Sequence, residues 1–364
     1  MSSIRKWIVR LLAIANIVVI LFMLLVGYSG LSDPLSHPMW SNVGLFFPVF
    51  LIANLCFLVV WCFFRWKMMW LPLLGFIVCY GPVRQYTPFN FPSTPPEGAL
   101  KVLSYNVMGF DLGSMSDGEI NQIAAYIAES KADIACLQES GLWGKHGNRI
   151  DSLLSAIYPY QDVTSNKKGP DFLTLYSKYP IVSKEEIPIP ADYNLSAAYV
   201  LDVRGERVLV VNNHLESTRI SHGEKDVFDQ MMHGKLSKEK AKTGWRHIFD
   251  KLVEGSKRRA PQVKVVADYV KKRLDKGMSV IVCGDFNDHP LSYCYRKMAE
   301  GLTDCYVAAG NGPGFSYHIK RMYVRIDHIL CSQDWEPYAC KVDTKVAQSD
   351  HYPVVCWLKK RSKR

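Results

Sequence analysis

The chain has 364 residues, of which 48% are hydrophobic and 21% charged, with a formal net charge of +10. Two acids (Asp33, Glu97) and six bases (Arg5, Lys6, Arg10, Arg65, Lys67, Arg84) precede residue 98, so the surplus divides into +4 there and +6 over the rest. A surplus that thin excludes a nucleic-acid-binding signature, and the ten cysteines, with no CxxC pair and no Cys/His spacing for zinc, exclude a zinc knuckle.

Three apolar runs open the chain. Residues 11–28 carry no charge and as a helix reach ~27 Å, and residues 43–64 reach ~33 Å, against a hydrocarbon core of ~30 Å. A third run, residues 68–83, is shorter and contains Pro72, Gly75 and Gly81; a tilted span, a re-entrant segment and an interfacial one all fit it, and a span is the expectation. A cleaved signal peptide would account for the basic start and the first run, but there is no A-x-A-like site and the next two runs stay unexplained. Trp61, Trp66, Trp70 and Tyr80 stand near the run ends, as interfacial aromatics do. The start is basic, residues 29–42 hold no Lys or Arg, and Arg65 and Lys67 are basic again. By the positive-inside rule the N-terminus and the second loop are then cytoplasmic, and three spans put everything after residue 84 outside the cytoplasm. Residues 88–96 (PFNFPSTPP) read as a stiff linker, so a transmembrane module of residues 1–97 is expected to precede a soluble domain of residues 98–364.

From residue 100 the pattern is mixed α/β. LKVLSYN is a strand; SMSDGE (114–119) is expected to cap a helix with Ile120, Ile123, Ala124 and Ile127 on one face; DIACLQE is the next strand. Strands recur at DFLTLYS, AAYVLDV, RVLVVNNHL, SVIVCGDFN, RIDHILC and YPVVCWL. Between RVLVVNNHL and SVIVCGDFN lies a charged segment, residues 219–260. Its Trp245, Ile248, Phe249, Leu252 and Val253 predict an amphipathic helix closed by Gly255, and Pro261 is expected to open another with the stripe Val263, Val266, Val270 and Leu274. Cys136, Cys283 and Cys356 sit in strand-like runs and read as small buried hydrophobes. The terminal run from Lys359 to Arg364 reads as a solvated basic tail.

The polar residues fall at the strand ends. Asn106 and Glu139 end the first two strands, which a βαβ-like unit would set side by side. His214 closes VLVVNN, Asp285 and Asn287 close VIVCG, Asp327 opens DHILC, and Asp350 and His351 open YPVVCWL. Each has a dull explanation as a cap, a surface pair or a satisfied core residue, but together they mark one rim of a sheet, where loops build sites. The chemistry suits the set. Mg²⁺ takes oxygen ligands and keeps waters, so Glu139 with the neutral oxygen of Asn106 is a candidate ligand pair, and Mn²⁺ is an acceptable substitute. An Asp327–His351 pair fixes the tautomer of the ring and stabilises its protonated form, while His214 and Asn287 offer donors to phosphate oxygens.

SYNV (104–107), LQES (137–140), NNHLES (212–217), GDFN (284–287), RIDHIL (325–330) and SDHYPV (349–354) resemble, in order, the motifs of the endonuclease/exonuclease/phosphatase superfamily. The resemblance covers residues 99–358. It implies a four-layer α/β sandwich of two mostly antiparallel sheets flanked by helices. It further implies Glu139 as Mg²⁺ ligand beside Asn106, Asp285 positioning or deprotonating water, and Asn287 and His214 on the scissile phosphate. Asp327 and His351 become the acid–base pair and Asp350 an outer or second-metal ligand. Met108 stands where abasic-site endonucleases carry a second acid, which weakens a DNA-repair reading. The expectation is a membrane-anchored Mg²⁺-dependent phosphoester hydrolase acting on a lipid headgroup, an inositol phosphate or nucleic acid, with the lipid bilayer as its partner and no obligate protein partner evident. The competing class is a catalytically dead, membrane-tethered binding module; loss of Glu139, Asp285 or His351 would signal it, and all three are present. The run Gly312–His318 falls where the superfamily often has a substrate-side loop, but a plain turn is at least as good a reading, and the run is left out of the site.

Overall fold

The computed structural model describes residues 3–116, 119–166 and 169–361, so the last three residues of the basic tail and part of SMSDGE lie outside the described residues. Helices α1 (Ser3–Gly27) and α2 (Phe47–Phe64) are antiparallel, with the Arg5 guanidinium over the Phe64 ring. Both are long and apolar enough to cross a membrane. The third run is not one straight helix: α3 (Trp70–Val78) and α4 (Tyr80–Tyr86) are bent by 69° at Cys79. Pro82 is the cause, because it has no N–H to give the carbonyl of Val78; the Tyr28 hydroxyl donates to that carbonyl instead, at 3.3 Å. Asn16 and Asn54 do bond between helices. Asn16 Nδ2 donates to Asn54 Oδ1 at 3.1 Å, Trp61 Nε1 to Asn16 Oδ1 at 3.1 Å, and Asn54 Nδ2 to the Pro72 carbonyl at 3.0 Å. A buried polar triad of this kind ties three helices together where no water can substitute.

Beyond the bundle, β1 (Leu100–Asn106) leads through α5 (Gln122–Ser130) to β2 (Ile134–Gln138), and α6 (Gly144–Ser155) precedes the hairpin of β3 (Tyr160–Ser165) and β4 (Phe172–Ser177). Next come the meander β5 (Ile181–Ile187), β6 (Leu195–Val203) and β7 (Glu206–His214), then α7 (His222–Met232), α8 (Lys238–Leu274) and β8 (Ser279–Asp285). The chain continues with α9 (Tyr293–Met298), β9 (Thr303–Asp304), α10 (Cys305–Ala309) and the short hairpin β10 (Tyr317–Ile319) and β11 (Met322–Val324). It closes with β12 (Asp327–Cys331), β13 (Trp335–Val342) and β14 (Val354–Lys360).

Two six-stranded sheets result, ordered β13-β14-β1-β2-β4-β3 and β5-β6-β7-β8-β12-β9. Each has one parallel pair, β1 with β2 and β7 with β8, and is otherwise antiparallel. Period-2 alternation sorts the strand residues into layers. Val102, Cys136, Ile281 and Cys283 point into the core between the sheets. Leu103 and Tyr105 pack with Ile123, Ile127 and Ile150 of the helices on one outer face, and Val280 and Val282 with Val263, Val266 and Val270 of α8 on the other. The architecture is therefore the expected four-layer sandwich.

Two helix expectations need correction. Helix α5 starts at Gln122, capped by Asn121, whose side chain accepts from the Ala124 N–H; Ile120 lies outside it and is exposed. Helix α8 runs unbroken through Gly255 and Pro261. Burial of Val253, Ala260, Val263 and Val266 on either side outweighs the ~3 kcal/mol that an interior proline costs. Gly255 is there for close approach: a Cβ would meet Thr218 Cα at 3.2 Å.

The bundle docks directly on the sandwich. Leu291 shares a buried cluster with Met23, Val26, Phe47 and Cys79. A Cβ on Gly30 would lie 2.4 Å from the Leu291 carbonyl oxygen, and one on Gly44 2.7 Å from His289 Cε1, so these two contacts exist only because both residues are glycine. Asn42 Nδ2 donates to Ser256 Oγ at 2.8 Å, and Lys264 pairs with Asp33 at 2.8 Å. Arg325, almost fully buried, donates to the carbonyls of Gln85, Tyr86 and Pro313.

Candidate active site

The site grows out of strand register. In the second sheet His214 is opposite Asp285, and Asp285 is opposite Asp327, so three neighbouring strands present a row of side chains at one rim. In the first sheet Asn106 is opposite Gln138, which leaves Glu139 beside it. Gln138 and Asn212 lock the two sheets together: Gln138 Nε2 donates to Asn212 Oδ1 at 2.7 Å, and Asn212 Nδ2 to the Leu137 carbonyl at 3.0 Å. Gly284 admits no other residue, since its φ is +130° and a Cβ would stand 2.0 Å from the Asn213 carbonyl oxygen.

Asn106 Nδ2 reaches Glu139 Oε1 at 2.9 Å and Asp285 Oδ2 at 3.2 Å. Two carboxylates from different sheets thus converge on one amide. Glu139 holds a positive φ of 51°, rare for its type, with 42% of its side chain open to solvent. His214 Nε2 faces the same acids, 3.7 Å from Glu139 and 3.9 Å from Asp285, while its Nδ1 bonds Asp171 Oδ2 at 2.9 Å. His351 is arranged in the same way: Nδ1 bonds Asp327 Oδ2 at 2.8 Å and Nε2 points at Asp285 from 3.7 Å. Asn287 turns through φ +52°, gives its backbone N–H to Asp285 Oδ1 at 2.7 Å and its Nδ2 to the Leu215 carbonyl at 2.9 Å. Asp350 lies at the edge and meets the group 4.0 Å from His351 Nε2.

Burial and charge act against each other here. Burial opposes protonation of His214, but Asp171, Glu139 and Asp285 outweigh it and raise its pKa; burial likewise opposes charge on His351, and Asp327 and Asp285 overcome it. Burial and then Asp327 push the Asp285 carboxyl above the usual carboxylate range, against the pull of the two histidines. Asp285 therefore behaves as a carboxylate that accepts a proton readily, flanked by two imidazoles that keep theirs.

The donor set fits a hard cation. Asp285, Asp327 and His351 offer ligand atoms that all lie within 4.8 Å of one another, the one such group among the described residues. Asp327 and His351 are committed to each other by their hydrogen bond, whereas the Glu139 and Asp285 oxygens are joined by the neutral Asn106 N–H, with His214 Nε2 standing beyond hydrogen-bond reach of both. A cation replacing that N–H would satisfy both. Asn106 would then present Oδ1, which now accepts from the Met108 N–H at 3.2 Å; the amide orientation is an assignment from the bonding network.

Three contributors escaped the sequence reading. Asp171 opens its strand with no motif to mark it. Ser316 Oγ accepts from the N–H groups of Ile326 and Asp327, at 3.0 and 3.1 Å, and Tyr317 sets the edge of its ring against His351 at 5.2 Å. Gly312–His318 is thus a wall of the site, not a plain turn. The aromatic Tyr317 next to His318 was the available signal.

The fold is that of the endonuclease/exonuclease/phosphatase sandwich. The chain belongs to the endonuclease/exonuclease/phosphatase family, whose sequence profile matches residues 103–351; residues 9–86 match a domain of unknown function (DUF8431). Members of that family are generally phosphoester hydrolases. An endonuclease/exonuclease/phosphatase from Beutenbergia cavernae DSM 12333 superposes with a TM-score of 0.52 at 20% identity over 72% of each chain. Truncated TDP2 of Caenorhabditis elegans gives 0.51 at 16% over 73% of this chain and 99% of that one. The human nocturnin catalytic domain with bound sulfate gives 0.51 at 16%, over 74% and 97%. At these identities the likeness concerns the fold. No curated protein matches by sequence.

Proposed function

We propose that this chain is a membrane-anchored, divalent-metal-dependent phosphoester hydrolase, its domain of residues 98–364 held outside the cytoplasm against the bilayer surface. The observation that carries the reading is the convergence of Glu139 and Asp285 on one amide between two carboxylate-paired imidazoles. Glu139 and Asn106 would hold Mg²⁺ or Mn²⁺, with Asp350 outside the immediate ligands. When bound, the ion neutralises phosphate charge.

Every other step belongs to the chain's own groups. Asp285 orients water and takes its proton as the water oxygen attacks phosphorus. Asn287 and His214 donate to the phosphate oxygens as charge moves onto them. His351, kept protonated by Asp327, gives its Nε2 proton to the departing alkoxide as the P–O bond breaks. Asp171 keeps the His214 ring charged and turned inward. The presence of all these groups supports the enzyme over an inactive binding module.

The bundle ends support this location. The loop between α1 and α2 contacts the sandwich through Gly30, Asn42 and Gly44, and the end of α4 contacts it through Gln85 and Tyr86. The Phe47 and Tyr86 rings meet at 5.8 Å, so the bent third segment returns to the end where α2 began. That supports three traverses, and the basic Arg5, Lys6, Arg10, Arg65 and Lys67 at the opposite end support a cytoplasmic position for that end. Only four positions separate Asn287 from Leu291, which packs among bundle residues, so a phosphoester at the membrane surface is the favoured substrate.

The test is an assay of the full-length protein in bilayers with Mg²⁺ against phospholipids, inositol phosphates, DNA and RNA. Chelator-sensitive release of a lipid headgroup or its phosphate is expected. Turnover unaffected by chelator defeats the metal assignment; turnover of nucleic acid alone defeats the membrane-surface substrate.

A further inference from the structure

The front of α8, which the catalytic scheme leaves unused, carries a feature of its own. Lys235, Lys238, Lys240, Lys242 and Arg246 are exposed, Glu239 is the one acid between them, and none of the five makes an ion pair among the described residues. Elsewhere on the same helix cations do find partners: Lys251 with Glu224, Lys257 with Glu254, Lys264 with Asp33, Lys271 with Asp275. Three of the unpaired lysines occupy the first turns of α8, at the positive end of the helix dipole, where cations are disfavoured unless an external anion compensates.

The face of the helix says where such an anion would come from. Ser256 bonds Asn42 and the Trp245 ring packs on Phe46 at 5.6 Å, so this face of α8 lies along the loop that caps the bundle. At 100° per residue Lys238 and Lys242 fall on the same face as Trp245. They stand about 10 and 5 Å further along the axis, beyond Phe46, at whose position α2 begins. Val49, one turn into α2, is exposed on the outside of the bundle. The lysines therefore project past the rim of the bundle, where the surrounding lipid headgroups would lie. Met232, exposed just before the α7–α8 turn, and Trp245, partly exposed, supply the apolar element that interfacial helices combine with lysines.

We infer that the front of α8, through Lys238 and Lys242 with the neighbouring Lys235, Lys240 and Arg246, is a docking surface for anionic phospholipid headgroups of the leaflet on which the sandwich rests. It rests on α1–α4 being a membrane module. The surface holds the catalytic domain at a set tilt over the bilayer, independently of the spans, and weakens with salt as surface electrostatics do.

The experiment uses the intact chain reconstituted in vesicles of phosphatidylcholine, with or without about a third phosphatidylglycerol, and follows lysine acetylation by mass spectrometry. Acetylation of Lys238 and Lys242 is expected to slow about three- to fivefold in the anionic vesicles and to recover in high salt, while Lys276 at the far end of α8 keeps its rate. Equal rates at Lys238 and Lys242 in both vesicles overturn the proposal, as does protection by added DNA in neutral vesicles without protection by anionic lipid. Extraction of the chain by alkaline carbonate would instead overturn the membrane module itself. The double variant K238Q/K242Q, altered only at exposed positions, is expected to retain less phosphatidylglycerol on delipidation; unchanged retention also counts against the surface.

Discussion

His351 and His214 look alike in geometry, each with Nδ1 on a carboxylate and Nε2 facing Asp285, but they are assigned different tasks. Replacing His351 with Ala is expected to lower turnover by about 10²–10⁴, the usual worth of a general acid. Asp171→Asn, which leaves His214 in place but removes the charge behind it, should cost less and leave Mg²⁺ affinity little changed. Steady-state rates and metal titration of both variants check this, and a His351→Ala enzyme with near-normal turnover would move the proton-transfer role to His214. The same two rings make stability depend on pH. Their folded pKa values, about 10, exceed the ordinary 6.5, so the stabilisation from the Asp171 and Asp327 pairs is complete below about pH 6.5 and is lost as pH rises towards 10. In metal-free protein the melting-temperature gap between the wild type and H214Q/H351Q should therefore narrow over that interval; a constant gap would show that the rings are neutral in the folded state. At this scale the motif residues were legible because apolar strands that end in Asn, Glu, His and Asp break their own pattern. Asp171 was not, since the acid that opens DFLTLYS looks like any strand-opening residue until His214 is seen beside it.

Helix α8 shows what periodicity can and cannot say. Its stripes Trp245–Val253 and Val263–Leu274 were readable, yet they belong to one helix, and both punctuation residues between them were misleading. A glycine closes a helix when the chain needs a left-handed residue there. Here the missing Cβ serves packing against Thr218. Since the backbone stays helical around Pro261, Pro261→Ala should restore one helical hydrogen bond and raise stability by up to about 3 kcal/mol. Thermal unfolding of the solubilised full chain measures it, and a lower melting temperature would mean that the proline fixes a bend the docking of α8 requires. The third apolar run was expected to span; Pro82 bends it by 69° at Cys79, and the Tyr28 hydroxyl shows where the orphaned carbonyl went, but the bent pair still passes as one span by length and composition.

For the whole molecule the decisive feature is that both the first loop and the end of the third segment touch the sandwich. Protease added to right-side-out cells is expected to cut within residues 98–364, and a domain cut only after lysis would place it in the cytoplasm. Thiol reagents cannot substitute, because every cysteine from Cys136 onward is buried. Cutting the chain at residue 98 should also expose Leu291 and strip Arg325 of two carbonyl partners, so the isolated fragment is expected to melt below the full-length protein; equal melting temperatures would make the docking incidental.

The sequence by itself determined the layers, the strand ends at which the candidate site residues fall and two apolar runs long enough to cross a membrane, because hydrophobic periodicity and six ordered motifs are local properties that survive without coordinates. The tertiary structure alone decided which carboxylate backs His214, that Ser316 and Tyr317 wall the candidate site, and that the apolar bundle seats on the loop after GDFN. Each of those is a contact between residues far apart in the chain, where a glycine, a serine or an acid carries no signal until its partner arrives.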